Sequence, residues 1–132
     1  MLTYCDNFVL EMETKHSLIK SFGFAFEGFS AAFRKGRNFR IQVTSGTVAI
    51  ILGIFLKISS SEWLDLFLII SLVLILELVN TAVEELIDLV SPQIQEKAKI
   101  AKDVSAAAVL VASVGAISIG FAIFIPKLLL FH

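Results

Sequence analysis

Three stretches of this chain are too apolar, and too long, to be covered by the rest of it. A helix needs about 20 residues to cross the ~30 Å hydrocarbon core of a bilayer, and segments 41–58, 63–90 and 104–130 approach or exceed that length. The first, from Ile41, is interrupted by Gln42, a Thr/Ser/Gly patch and Lys57, which is placed to snorkel at its end. The second opens on Trp63, suited to a membrane interface, and runs from Leu66 to Leu76 with Ser71 as its one polar side chain. The third begins with an Ala-rich run, carries Gly115 and Gly120, which suit close helix packing in lipid, and meets Pro126 and Lys127 near its end. Of the 132 residues, 57% are hydrophobic and 17% charged, against roughly 45–50% and 25% in soluble domains. A water-soluble monomer is excluded. Twelve Phe exclude disorder, and a net charge of -1 gives no footing for nucleic-acid binding. Cys5 stands alone, so there is neither an intramolecular disulfide nor a metal-binding pair.

Ahead of the spans, Leu18, Phe22, Ala25, Phe26, Phe29, Ala32 and Phe33 recur at helical spacing between His16 and Lys35. Lys20, Glu27 and Arg34 fall on the opposite face, so segment 16–35 reads as an amphipathic helix lying in the membrane interface. Residues 1–14 read as a ragged tail before a single domain over 15–132, and their acids do not suit a signal peptide. Met12 serves as well as Met1 for a natural start. Lys15, Lys20, Arg34, Lys35, Arg37 and Arg40 precede the first span, and Lys97, Lys99 and Lys102 lie between the second and third. Lys57 and Lys127 stand alone at the other ends, which places the amino terminus in the cytoplasm. The sequence therefore predicts an all-α membrane protein with one interfacial helix and three transmembrane helices.

The second span carries a polar stripe. Glu77, Asn80, Thr81, Glu84 and Asp88 are spaced i, i+3, i+4, i+7 and i+11, which confines them to about a 100° arc of one helix face. A central ionisable residue costs about 2.5–3.5 kcal/mol on insertion scales. Asn80 and Thr81 also suit interhelical hydrogen bonding, and Glu85 and Asp88 a solvated rim. Glu77 and Glu84 together call for chemistry. Glu77, about two turns deeper, is the better proton acceptor, and Glu84 the better oxygen ligand for a hydrated Mg²⁺.

The string Glu77-Leu-Val-Asn80-Thr81-Ala-Val-Glu84, with Ala101-Lys102-Asp103 downstream, resembles the small integral-membrane lipid kinases of bacteria. These comprise the prokaryotic diacylglycerol kinases and their Gram-positive undecaprenol kinase relatives. Further likeness lies in Lys20-Ser-Phe-Gly23-Phe-Ala-Phe-Glu-Gly28, and Arg37-Asn38-Phe39-Arg40 and Pro126-Lys127 lean towards the undecaprenol branch. The resemblance implies a homotrimeric bundle in the bacterial inner membrane, with active sites shared between subunits near the cytoplasmic surface. It implies ATP-dependent, Mg²⁺-assisted phosphorylation of a lipid hydroxyl, undecaprenol before diacylglycerol. It gives Glu77 the role of general base and Glu84 that of metal ligand, with Lys20, Asn80, Glu84, Lys102 and Asp103 at the nucleotide. One departure stands out: Gly36 occupies the position where the family usually has a second metal-binding Glu, with Glu27 and Glu85 as candidates to compensate. Gln42 stands where some relatives have an acid or His. Two other classes fit parts of the pattern: a proton-linked membrane carrier built on Glu77, and a catalytically weakened structural protein, for which Gly36 speaks.

Overall fold

The computed structural model describes residues 18–90 and 95–130, and these form four helices with no strand among them. They are α1 (Leu18–Lys35), α2 (Arg37–Phe55), α3 (Ser60–Val90) and α4 (Glu96–Leu130). The expected tail, both candidate start residues and the first two residues of the expected interfacial helix lie outside the described residues. The chain divides into two compact units, Met1–Ala31 and Ala32–His132.

In the first unit, α1 presents the apolar face read from its periodicity. Leu18, Phe22 and Phe26 are 79%, 75% and 74% exposed. In water such a stripe would be an aggregation liability; at a lipid interface it is the binding face.

In the second unit, α2, α3 and α4 are each long and apolar enough to cross a membrane, and α3 packs against both of the others. At 1.5 Å per residue, α3 spans ~46 Å and α4 ~52 Å, so both outrun a hydrocarbon core of about 30 Å. This explains why α4 begins at Glu96 rather than Val104. Hydropathy marks the part in lipid, whereas the intervening Glu-Lys-Ala-Lys-Ile-Ala-Lys-Asp run consists mainly of strong helix formers. The same effect starts α2 at Arg37, ahead of Ile41.

The α2–α3 connection is built from local chemistry. Lys57 takes a left-handed conformation, φ 50°, which ends α2 short of Ile58. Its N–H donates to the Ile54 carbonyl (3.3 Å) and the Ile58 N–H to the Gly53 carbonyl (3.2 Å), the two bonds of a Schellman motif. Ser59 then caps α3. Its backbone N–H and hydroxyl donate to Glu62 Oε2 at 2.6 and 2.7 Å, and the Glu62 N–H points back at the Ser59 hydroxyl oxygen (3.4 Å), a reciprocal capping box. The same Glu62 oxygen meets Lys127 Nζ at 3.0 Å, tying α3 to α4. Beneath this end Leu56, Ile58, Leu66 and Ile123 form a buried cluster with Trp63 and Phe124 against it. Gly53 permits it, because a Cβ there would stand 3.0 Å from both Ile58 Cδ1 and the Trp63 ring.

Candidate functional site

Away from that cluster, α3 turns the residues of its polar stripe inward. Glu77 and Asn80 are 4% and 7% exposed and are the buried polar residues among those described. α2 and α4 of the same chain bury Glu77 and Asn80, the first two residues of the stripe.

Each has partners. Gln42, on α2, donates Nε2 to Glu77 Oε2 at 3.0 Å. Asn80 donates Nδ2 to Glu84 Oε1, one turn along α3, at 3.0 Å. On α4 the Ser105 hydroxyl lies 2.6 Å from Asn80 Oδ1 and 2.9 Å from the Lys102 carbonyl, and its single proton serves one acceptor at a time. Asn80 is thereby held from both ends, which fixes its amide orientation. The Thr81 hydroxyl donates to the Glu77 backbone carbonyl at 2.9 Å, a bond within its own helix. Thr81 is a helix-bound hydroxyl here and adds no donor between helices.

Towards the end of α3 the residues become exposed and charged. Lys102 forms an ion pair with Asp88, and Lys35 pairs with Glu85 at 2.8 Å. Glu85 is therefore occupied by a cation, which weakens it as a substitute for the missing carboxylate at Gly36. Asp103 is exposed and makes no hydrogen bond or ion pair among the described residues. Lys20 and Glu27 belong to the first unit and are exposed there.

Two cavities meet at this place. One, of about 320 Å³, is lined by Asn38, Gln42, Glu77, Asn80, Glu84 and Ser113. The other, of about 350 Å³, is almost wholly apolar, with Ile70, Val73, Ala116 and Ile117 in its wall. Ile41, Gln42 and Ser113 belong to both. A polar compartment with an acid in its wall thus borders an apolar one. That arrangement suits a ligand with a reactive polar end and a hydrocarbon body.

Among the described residues no three His, Cys, Asp or Glu side chains converge as a metal cage. That does not disfavour Mg²⁺, which commonly takes only one or two carboxylates and leaves the remaining positions to water and substrate phosphates. Glu84 fits this role: it is exposed, its Oε1 receives Asn80, and its second oxygen has no partner among the described residues.

Comparison with known proteins decides the family. A match described as prokaryotic diacylglycerol kinase covers residues 23–124. The chain belongs to this family. It is 42% identical over 114 residues to a diacylglycerol kinase of Synechocystis sp., covering 86% of this chain and 65% of that protein. It is 39% identical over 109 residues to the undecaprenol kinase of Bacillus subtilis, covering 83% of this chain and 89% of the relative. The diacylglycerol kinase of Escherichia coli is 29% identical over 100 residues, 76% of this chain and 82% of its own length. The expectation of a membrane lipid kinase stands with the family. In this member Gln42 and Ser105 hold the stripe in place. The sequence pattern does not mark Ser105 as a partner, although it follows Lys102 by one helical turn and so shares its side of α4.

Proposed function

We propose that this kinase transfers the γ-phosphoryl group of ATP to the hydroxyl of a membrane lipid alcohol, undecaprenol first and diacylglycerol as the alternative, with Glu77 as general base. The observation that carries this reading is the buried Glu77 carboxylate in a polar cavity that borders an apolar one. A lipid alcohol placed across that border has its hydrocarbon among Ile70, Val73 and Ile117 and its hydroxyl near Glu77. Loss of the hydroxyl proton to Glu77 accompanies attack on the γ-phosphorus, and the bond to the departing ADP oxygen breaks.

Asn80 is the phosphate-facing donor, with its amide oriented by Ser105 and Glu84. Glu84 would hold Mg²⁺, which supplies charge neutralisation on the phosphate oxygens. Lys102, Asp103 and Lys20 complete the nucleotide site by family resemblance. The Lys102–Asp88 pair keeps that cation beside the stripe. The preference for undecaprenol rests on the Arg37-Asn38-Phe39-Arg40 and Pro126-Lys127 elements and on the extent of the Bacillus match. The wider setting we propose by family resemblance is a homotrimer in the bacterial inner membrane, and the distribution of Lys and Arg supports a cytoplasmic amino terminus for it.

Purified protein with γ-labelled ATP, and undecaprenol or diacylglycerol presented separately in mixed micelles, tests the reading. Label entering undecaprenol at the higher kcat/KM supports it. Preference for diacylglycerol selects the alternative, and label in neither lipid overturns both.

A further inference from the structure

Gln42 has a use that its place on an apolar helix does not explain. Its Nε2 is bonded to Glu77 Oε2 at 3.0 Å, while its Oε1 is buried with no hydrogen-bond partner among the described residues. A buried acceptor without a donor destabilises a fold, and an apolar side chain of similar size would avoid that cost. No other side chain among the described residues donates to the Glu77 carboxylate. Gln42 also lies in the wall of both cavities, at the border where the lipid hydroxyl is placed.

The two ends of the amide match the two states through which a base passes. Before transfer Glu77 is a carboxylate, which only accepts, and the Gln42 N–H is the correct partner. The lipid oxygen then bonds to the γ-phosphorus, the bond from phosphorus to the ADP oxygen breaks, and the hydroxyl proton passes to Glu77. Glu77 is now a carboxylic acid with an O–H to place, for which an N–H is the wrong partner. The terminal torsion of a glutamine is soft, and a half-turn about it exchanges Nε2 for Oε1. The acceptor that has no partner before transfer takes the new O–H.

We infer that Gln42 is a positioning residue for Glu77 that stays hydrogen-bonded to it before and after proton transfer by turning its amide over. This rests on Glu77 being the base, as proposed above. The idle Oε1 is then the counterpart of a state that the resting enzyme has yet to enter.

The test is a double-mutant cycle on the full chain, with the lipid alcohol that the wild type phosphorylates. Gln42→Met, similar in size but without donor or acceptor, should lower kcat about ten- to hundredfold and leave the KM for ATP unchanged. In a Glu77→Gln background the same substitution should alter the residual rate by less than about twofold, because residues acting through one another are not additive. Gln42→Glu, which keeps the shape but cannot donate when ionised, should lose at least as much as Gln42→Met. It carries the same comparison if the Met variant does not fold. Equal losses in both backgrounds would make Gln42 a packing residue and overturn the inference. So would normal turnover by Gln42→Met while Glu77→Gln is inactive. Normal turnover by Glu77→Gln would instead remove the base assignment itself, and this inference with it.

Discussion

Gly36 is where the chain departs from its family, and its surroundings set the result of changing it. Its backbone, φ -87° and ψ 109°, is extended and open to any L-residue, so left-handed strain plays no part. Crowding does. A Cβ at this position would lie 2.9 Å from the Ala32 carbonyl oxygen and 3.2 Å from Phe39 Cβ. Neither neighbour yields easily: Ala32 is 3% exposed and Phe39 fully buried, and the same carbonyl accepts the Gly36 N–H at 2.8 Å. Gly36→Ala must therefore move the α1–α2 junction by a few tenths of an ångström, at the overpacking cost of about 1–3 kcal/mol. Unfolding in detergent with increasing sodium dodecyl sulfate, followed by circular dichroism, should show the Ala variant losing helix at lower denaturant than wild type. Gly36→Glu carries the same Cβ and should be destabilised at least as much. If its carboxylate reaches the cation, it should nevertheless lower the Mg²⁺ concentration for half-maximal activity, since each added anionic oxygen tightens the hold on a hard ion. An unchanged midpoint for Gly36→Ala would refute the crowding argument. A folded Gly36→Glu enzyme with an unchanged Mg²⁺ requirement would show that position 36 does not serve the metal here.

Four further outcomes are expected. Glu77→Gln should reduce kcat by about 10²–10⁴ with little change in the KM for ATP, measured by label transfer to lipid. Ser105→Ala should destabilise the chain by about 1 kcal/mol and reduce turnover by freeing the Asn80 amide, which unfolding curves and kcat report separately. Lys57→Gly should raise stability by about 1 kcal/mol, because glycine avoids the Cβ cost of the left-handed turn; the same denaturant titration reads it. Mixing Lys20→Ala chains with Glu77→Gln chains before reconstitution should recover activity if sites are shared between subunits, and none if each site is complete within one chain.

What could be read without the structure follows from the range of the forces involved. Three spans and an interfacial helix were legible because burial in lipid acts on every residue of a segment, and the pattern repeats over many turns. Glu77, Asn80 and Glu84 were legible because α-helical geometry is fixed, so spacing alone places them on one face. Helix ends were less so. Hydropathy does not report where α4 leaves the bilayer for water, and the Schellman turn uses Lys57 where glycine would have signalled it. The partners of the stripe were hidden for another reason: Gln42 and Ser105 lie on other helices, and the rotation and depth of those helices decide which side chains meet. For the same reason the family resemblance, which implies a nucleotide role for Lys102, does not show that Asp88 pairs with it.

The enclosure of Glu77 and Asn80 within one chain bears on how the protein enters the membrane. A helix carrying both residues meets an insertion cost when it leaves the translocon alone, about 2.5–3.5 kcal/mol for a central acid. The partner of Glu77 lies on α2, synthesised before it, and the α4 partner of Asn80 is made after it. Glu77 can thus be paired as soon as α3 emerges, whereas Asn80, whose amide N–H finds Glu84 within α3, gains a donor for its Oδ1 only once Ser105 is made. Release of α2, α3 and α4 as a group satisfies both residues, and a chain truncated before α4 would leave Asn80 without its Ser105 partner in the bilayer.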